Sequence, residues 1–362
     1  MSKVAIIGGA GRVGISFAFH LLTQNICQEL ALVDVMEDQV MGERLDLLHA
    51  TSEIHYTKIT AGTGPELLHR ADVIVIPAGA RRRPDQSRLD LIRTNCGIID
   101  HWMEMINQVN RTAIVLVVVN PVDVLTYRAF IKGGRDRRRI FGLGNVMDTV
   151  RMRANLAERF GWEPRYVNGY MLGEHGDGIV PVWSQFSYAG MRFKDMPQIG
   201  QRALDEVFQD TRAAGAEVIR LKGGAGWGVA VAITMVVKAI LLDERRVLCV
   251  TSVPDGAYGI QEDIALSLPT IVGSNGVEGY LEVKLDAVEQ QGLENAARIL
   301  RDTYRQVSGV EEAAAKPEET AKPATAAKPV LPAKKVTPAK KAAPAKPKTV
   351  AKFAAAGAAK KK

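Results

Sequence analysis

Four glycines lie close together directly after a short apolar run at the start of the chain. Gly9, Gly11 and Gly14 fit the spacing G-x-G-x-x-G, and Gly8 gives a variant in which the glycines recur every three residues. A dinucleotide site needs glycines for a tight turn, for the approach of a pyrophosphate to the backbone and for close helix–strand packing. A helix that begins here points free N–H groups at phosphates, although a plain glycine turn is the alternative. The predicted dinucleotide segment comprises Gly8, Gly9, Gly11, Arg12, Val13 and Gly14.

An acidic residue, Asp34, follows twenty residues after Gly14, at the end of a second apolar run. A carboxylate at this place accepts hydrogen bonds from the ribose hydroxyls of adenosine and repels a 2′-phosphate. The alternative is a surface aspartate at the end of a strand. Strand, glycines, helix and aspartate together predict a site for NAD rather than NADP.

A second group of residues combines a histidine, an aspartate and an arginine. His175 lies in a glycine-rich turn, and its ordinary pKa of about 6.5 suits proton exchange near neutral pH. Asp148 and Arg151 are three residues apart and therefore share one face of a helix. A guanidinium binds a carboxylate through two parallel hydrogen bonds. Asp148 has the alternative role of capping the predicted helix Thr149–Phe160.

The first half of the chain alternates apolar runs with helical periods. Runs without polar alternation indicate strands covered on both faces, as in a parallel sheet. Asn120 follows the fourth run, where doubly wound folds place ligands. The predicted strands are Lys3–Ile7, Leu30–Val33, Asp72–Ile76 and Ala113–Val119. The predicted helices are Arg12–Thr23, Gln39–His49 and Leu89–Gln108.

The second half is richer in long helical patterns, and we expect the domain change near Phe141–Asn145. The predicted elements are the helices Gly200–Lys222, Gly228–Leu242 and Lys284–Gln306 and the strand Arg246–Val253. The predicted architecture is a Rossmann-type doubly wound parallel sheet in residues 1–145, an α+β catalytic domain in residues 146–310 and a disordered Ala/Lys/Pro-rich tail in residues 311–362.

The positive charge of the chain belongs to this tail. Residues 311–362 contain thirteen Lys and four Glu, whereas the rest of the chain has 34 basic and 36 acidic residues. The body therefore gives no indication of nucleic-acid binding. For the tail, we consider both a polyanion such as nucleic acid and a disordered extension without a partner. Three cysteines and the absence of a long apolar run predict a cytoplasmic protein outside the membrane.

Four segments carry a resemblance to a known family. They are Ala78–Arg88 (AGARRRPDQSR), Val118–Asp123 (VVNPVD), Met147–Arg153 (MDTVRMR) and Gly173–Asp177 (GEHGD). In this order, behind the glycine segment, they resemble the lactate/malate dehydrogenases from Lys3 to about Val310, and are closest to the lactate-dehydrogenase-like malate dehydrogenases.

The resemblance implies NAD as cofactor, a homodimer or homotetramer, and a role for each site residue. No metal site is predicted, because His49 and His55 are loosely spaced and no ligand cluster accompanies them. His175 would be the general acid/base and Asp148 would orient it. Arg151 would hold the substrate C1 carboxylate. The remaining implied residues are Arg88 and Asn120 at the reacting carbonyl, and Asn95 and Val118 on the cofactor side.

Substrate choice is predicted from the segment Arg81–Arg83. Aligned without gaps, Arg82 takes the family's discriminating position, where an arginine pairs with a second carboxylate, and Ala225 replaces the threonine typical of lactate-type enzymes. Because three arginines follow one another, the alignment can shift by one residue. Asp85 stands where the family often has glycine. These residues predict malate dehydrogenase; the alternative is a lactate or other 2-hydroxyacid dehydrogenase.

Overall fold

The computed structural model describes residues 2–80, 87–261 and 263–308, with the side chain of Arg88 excepted. Several predictions fall outside these residues and stay predictions: the substrate-reading role of Arg82, the lid residue Asp85 and the disordered tail 311–362.

The first half of the chain alternates strands and helices as predicted, and it also contains two strands and one helix that were not predicted. Its strands are β1 (Lys3–Ile7), β2 (Glu29–Val33), β3 (Lys58–Gly62), β4 (Val73–Ile76), β5 (Ile114–Val117) and β6 (Ile140–Gly142). Its helices are α1 (Arg12–Gln24), α2 (Glu37–Ala50), α3 (Arg88–Val109) and α4 (Val122–Gly133). The elements that were not predicted are β3, β6 and α4.

The second half contains long helices and short strands. Its helices are α5 (Val146–Phe160), α6 (Gln201–Lys222), α7 (Trp227–Leu241) and α8 (Ala287–Ser308). Its strands are β7 (Val167–Asn168), β8 (Met171–Gly173), β9 (Ile179–Pro181), β10 (Ser187–Tyr188), β11 (Met191–Arg192), β12 (Arg246–Ser252), β13 (Leu266–Gly273) and β14 (Gly276–Tyr280).

The first six strands form a parallel sheet in the order β3-β2-β1-β4-β5-β6. This is the strand order of a Rossmann-type doubly wound sheet, so the predicted fold class is confirmed. The order reverses between β1 and β4, where Ala5 pairs with Ala31 on one side and with Ile74 on the other. Ligands bind at such a reversal, beyond the carboxyl ends of the strands.

The sheet continues past the predicted domain change at Phe141–Asn145. Strand β6 pairs in parallel with β5 and in antiparallel with β12, where Thr251 lies opposite Gly142. From β12 the sheet runs on through β13, β8 and β9, and β14 pairs with β13. The division at residue 145 stays a prediction.

Both faces of the parallel sheet are covered by helices. In β1, Ala5 and Ile7 pack into an apolar cluster that includes side chains of α3 and α4. The alternate residues Val4 and Ile6 pack into a second cluster, which includes side chains of α1 and α7. Because every residue of such a strand faces a core, the strand has no polar alternation in its sequence.

Helix α1 can begin directly after β1 because of two glycines. Gly8 has a φ of 93°, which L side chains rarely adopt. A Cβ on Gly14 would lie 2.9 Å from the carbonyl carbon of Gly8 and closer still to its oxygen. The helix therefore packs against the turn at a distance that excludes a side chain.

The described residues contain no helix long and apolar enough to cross a membrane. Cys27, Cys96 and Cys249, all within the described part, are buried free thiols, and burial raises the pKa of each.

We expect Gly14→Ala to lower the free energy of unfolding by about 1–3 kcal/mol, because the new methyl group overpacks the turn. The matched control is Gly42→Ala, since a Cβ on Gly42 in helix α2 would meet nothing within 4 Å. Removing a glycine from this helix interior should raise stability by about 0.5–1 kcal/mol. Urea unfolding of both variants measures the difference, and equal effects of the two substitutions would contradict this account of α1.

Candidate active site

A cleft of about 1250 Å³ opens beyond the carboxyl ends of the parallel strands. It is large enough for a dinucleotide together with a small substrate. Residues from both halves of the chain line it, so the fold brings together segments that are far apart in sequence. The predicted site residues along its wall are Gly8, Gly11, Arg12, Val13, Gly14, Asp34, Val118, Asn120, Arg151 and His175.

One end of the cleft is the N-terminus of α1. Gly11 is the N-cap residue and supplies no side chain, so the N–H groups of the first turn face the cleft without a capping group. Asp34 lines the same end, and its carboxylate oxygens accept hydrogen bonds from the N–H groups of Ala10 at 3.0 Å and Met36 at 3.2 Å. Backbone donors and a partly exposed carboxylate here fit the phosphates and a ribose of a dinucleotide.

Two residues of the glycine segment make contacts that join neighbouring elements. A Cβ on Gly9 would lie 2.9 Å from Cβ of Leu32, so this glycine permits close packing on β2. The guanidinium of Arg12 donates hydrogen bonds to the carbonyl oxygens of Lys222 at 2.6 Å and Gly224 at 3.0 Å. Arg12 therefore joins the glycine segment to the turn between α6 and α7.

Asn95 lies behind the wall of the cleft rather than on it. Its side chain is 1% exposed. Its Oδ1 accepts a hydrogen bond from the N–H of Ala80 at 2.7 Å, and its Nδ2 donates one to the carbonyl of Asn120 at 2.9 Å. Asn95 thus braces the two loops that border the cleft, which is not the lining role that the resemblance implies. Asn120 itself is exposed and faces the cleft.

The other end of the cleft holds the histidine. Nδ1 of His175 lies 2.5 Å from Oδ2 of Asp148, and Arg151 donates a hydrogen bond to Oδ1 of Asp148 at 3.0 Å. Asp148 is 5% exposed. Helix α5 begins at Val146 with Asn145 as the N-cap, so Asp148 lies inside the first turn and is not the capping residue.

The charges of this group act on one another. Burial lowers the pKa of His175, but the negative charge and hydrogen bond of Asp148 and the charge of Asp123 together raise it above its ordinary value. Burial raises the pKa of Asp148, but the charges and hydrogen bonds of His175 and Arg151 together hold it below its ordinary value. The pair therefore favours a charged imidazolium on His175 beside an ionised carboxylate on Asp148. The imidazolium can give a proton to a developing oxyanion.

One buried acid beneath the histidine was not predicted. Asp123 is 2% exposed, and its Oδ2 accepts a hydrogen bond from the backbone N–H of His175 at 2.7 Å. Its Oδ1 accepts one from the hydroxyl of Thr251. Burial raises the pKa of Asp123 to about 6. The available signal was its place in the segment VVNPVD, where an acid follows two apolar residues at the start of a helix.

The residues predicted at the reacting carbonyl are less fully described. Arg88 is the first residue of α3, but its side chain is outside the described residues. Its polarising role stays a prediction. The role of Arg82, which was predicted to pair with a second substrate carboxylate, also stays a prediction, because this residue lies wholly outside the described residues.

Comparison with known families agrees with this geometry. The family model for the lactate/malate dehydrogenase NAD binding domain matches residues 2–142. The model for the alpha/beta C-terminal domain of the same family matches residues 146–310. The chain belongs to the lactate/malate dehydrogenase family. Its cofactor is NAD, and the free N–H groups of α1, the close packing at Gly14 and the carboxylate of Asp34 fit that cofactor.

Three similar proteins are named lactate dehydrogenases. An L-lactate dehydrogenase of Synechococcus sp. (strain JA-3-3Ab) is 39% identical over 302 residues, which is 83% of this chain and 97% of that protein. One of Gloeobacter violaceus is 38% identical over 306 residues, 83% of this chain and 92% of that protein. The crystal structure of a lactate dehydrogenase from a Medee basin deep-sea metagenome library has a TM-score of 0.82 and 30% identity, covering 85% of this chain and 99% of that chain.

These comparisons correct one prediction. The expectation of malate dehydrogenase activity, with its place in the tricarboxylic acid cycle, is wrong, because the two relatives named above are L-lactate dehydrogenases and the solved structure is a lactate dehydrogenase. It depended on Arg82 and, to a lesser degree, on Ala225. A guanidinium selects a second carboxylate only where it faces the distal end of the substrate, and a gapless alignment through three consecutive arginines does not establish which of them does so.

Asp34 should determine the choice between the two nicotinamide cofactors. We expect Asp34→Asn to lower the preference for NADH over NADPH by about tenfold or more, which is at least about 1.4 kcal/mol. The reason is that the substitution removes the charge that repels a 2′-phosphate. Fluorescence titration with NADH and NADPH measures both affinities. Asp38→Asn, on the exposed first turn of α2, is the control; an unchanged ratio in Asp34→Asn would contradict the assignment.

The buried pair should make stability depend on pH. Because folding raises the pKa of His175, its protonation stabilises the fold in full below the unfolded pKa of about 6.5. This stabilisation is lost as the pH rises through the folded pKa. Because folding lowers the pKa of Asp148, its ionisation stabilises the fold in full above the unfolded pKa of about 3.9. This stabilisation is lost as the pH falls through the folded pKa. We therefore expect Asp148→Asn to destabilise most between about pH 4 and 6.5.

Urea unfolding from pH 3 to 9 tests this window. Glu217→Gln, which breaks the exposed ion pair with Arg220 at 2.5 Å, is the control, and its effect on stability should be small at every pH because exposed ion pairs contribute little. A pH-independent loss in Asp148→Asn would show that the carboxylate does not interact with an ionising histidine.

Proposed function

We propose that the protein is an NAD-dependent L-lactate dehydrogenase, which interconverts L-lactate and pyruvate. The observation that carries the proposal is the His175–Asp148 pair in the same cleft as the glycine turn and Asp34. The choice of lactate is supported by the names of similar proteins that this chain matches over 83% of its length.

NAD supplies the chemistry of hydride exchange when it is bound. The chain's own task is to handle the proton and the charge. His175 donates a proton to the ketone oxygen of pyruvate during reduction and removes it from the hydroxyl of lactate during oxidation. Asp148 keeps the imidazole in one orientation and stabilises its charged form, since its carboxylate is buried and bonded to Nδ1.

Arg151 is positioned to bind the carboxylate that both substrates share. Its guanidinium lines the cleft and is 17% exposed, while a hydrogen bond to Asp148 holds it in place. A planar guanidinium binds a carboxylate with two parallel bonds, which fixes the distance between the reacting carbon and His175. We assign Asn120 and Arg88 to the reacting oxygen, and Val118 to the cofactor side, on the family resemblance.

Other features of the proposal extend the sequence predictions. A homodimer or homotetramer, a cytoplasmic location and a separate substrate domain in residues 146–310 remain proposals. So does a polyanion partner for the tail, whose residues are outside the described part.

The substrate is tested by comparing kcat/KM for pyruvate and oxaloacetate with NADH. We expect pyruvate to be preferred by about 100-fold or more, because a pocket that accommodates a methyl group leaves a second carboxylate without a partner. His175→Gln should lower kcat/KM for pyruvate by about 100-fold or more. A preference for oxaloacetate would contradict the proposal.

Arg82→Gln provides an internal check on that result. If pyruvate is the substrate, an unpaired guanidinium cannot face its methyl group without a large desolvation cost. We therefore expect this variant to keep the pyruvate/oxaloacetate ratio within about threefold of the wild-type value. A large gain for pyruvate at the expense of oxaloacetate would place the guanidinium at the distal end of the substrate and overturn the choice of lactate.

A further inference from the structure

A chain of buried polar groups runs beneath the catalytic pair. Asp123, Thr251, Ser267 and Asn145 are each at most 2% exposed, and they come from four elements that are distant in sequence. Asp123 lies in α4, Thr251 in β12 and Ser267 in β13, and Asn145 precedes α5. Asp123, Thr251 and Ser267 take part through their side chains and Asn145 through its backbone N–H, while Oδ1 of Asn145 has no hydrogen-bond partner among the described residues.

The sheet register places these groups next to one another. Thr251 pairs with Gly142 of β6 on one side and with Ser267 of β13 on the other. Ser267 in turn pairs with Gly173, the last residue of β8, two residues before His175. The two hydroxyls therefore lie in one row across four strands, directly under the turn that carries the histidine.

The hydrogen bonds have one consistent direction. The N–H of Asn145 donates to the hydroxyl of Ser267 at 3.0 Å. Since Thr251 donates its proton to Asp123, the 2.9 Å bond between the two hydroxyls must be donated by Ser267. The chain ends at the carboxylate of Asp123, which also accepts the N–H of His175 at 2.7 Å.

The two ends of the chain hold the two segments that carry the catalytic pair. One end holds the backbone of His175. The other holds Asn145, the N-cap of the helix that carries Asp148 and Arg151. A misplacement of about 1 Å between reacting groups costs about 100-fold in rate, so a rigid link between the two is of direct value to the reaction.

We propose that Asp123 is a positioning residue, which acts through the Thr251–Ser267–Asn145 chain to hold His175 against Asp148. The proposal deepens the proposed dehydrogenase function and rests on it for the catalytic readout. Thr251 and Ser267 connect Asp123 to Asn145 through their hydrogen bonds and so fix the two segments relative to each other.

Among the described residues, charged groups near His175 come from α4, α5, α6 and the histidine's own turn, where Asp177 accepts a hydrogen bond from Arg212 of α6 at 3.2 Å. Helix α5 presents Asp148 and Arg151, and α4 presents Asp123. The histidine's own turn contains Glu174, whose charge acts on Asp123. Strands β12 and β13 present uncharged hydroxyls, and α8 packs Ala296 against the turn. Asp123 is therefore a second negative charge beside the imidazole, after Asp148, and its removal should lower the pKa of His175.

The test uses Asp123→Asn in the full-length chain and two independent readouts. The first is NMR titration of the imidazole C–H resonances, in which one of six histidines is assigned by its loss in His175→Gln. The second is the pH profile of pyruvate reduction. We expect the His175 midpoint and the high-pH limb of kcat to move to lower pH, with kcat lowered by about 10- to 100-fold.

Variants at Thr251 keep the test decisive if Asp123→Asn does not fold. Thr251→Val should shift both readouts in the same direction, because the lost hydroxyl breaks the chain and no longer lowers the pKa of Asp123. Thr251→Ser should restore them to within about threefold of wild type. Thr270→Val is the matched control: this equally buried hydroxyl of β13 bonds only the carbonyl of Leu268 among the described residues, and its loss should shift neither readout.

Two outcomes separate failure of this proposal from failure of the proposed function. If Asp123→Asn or Thr251→Val lowers Tm as expected of a core change but leaves the His175 midpoint and the pH limb at wild-type values, the role of the chain is only structural and the proposal is overturned. If wild type does not reduce pyruvate, the proposed function fails, while the NMR midpoints still decide whether Asp123 controls His175.

Discussion

Two ionisable carboxylates lie buried beneath a single imidazole, and the rest of the structure supplies the charges and hydrogen bonds that stabilise them. Removing a carboxylate from water is costly unless charges and hydrogen bonds replace the solvent. Asp148 obtains this from His175 and Arg151, and Asp123 from the backbone of His175 and the hydroxyl of Thr251. Because these partners come from both halves of the chain, the site exists only when the whole sheet is assembled.

The parallel sheet determines where this assembly can happen. Its strand order reverses between β1 and β4, so the loops after these strands diverge and leave a cleft beyond their carboxyl ends. The glycine turn after β1 and the loop after β5 border the cleft from one half of the chain. The antiparallel continuation through β12 and β13 brings the histidine turn after β8 to the same edge. The cofactor end and the proton-transfer end of the cleft are thus linked through one sheet.

Much of this could be predicted from local sequence, and particular elements show where local sequence is insufficient. Uninterrupted apolar runs revealed β1, β4 and β5 because both faces of these strands are buried. Strand β13 was missed because Pro269 interrupts it, and Pro is unusual within a strand unless its missing N–H is not needed there. The strands of two or three residues in the second half are too short to show a period.

The sequence by itself determined the fold class and the cofactor, which depend on residue types at fixed local spacing, and the candidate acid/base group, which depends on the family resemblance of four short segments. Tertiary structure decided the rest. It set Asn95 behind the cleft wall, tied Arg12 to the α6–α7 turn and placed Asp123 under His175. No local pattern specifies these contacts, because they join residues up to 212 positions apart. Substrate selection also depends on tertiary structure, because a charged side chain selects a substrate carboxylate only if the folded chain points that side chain toward it.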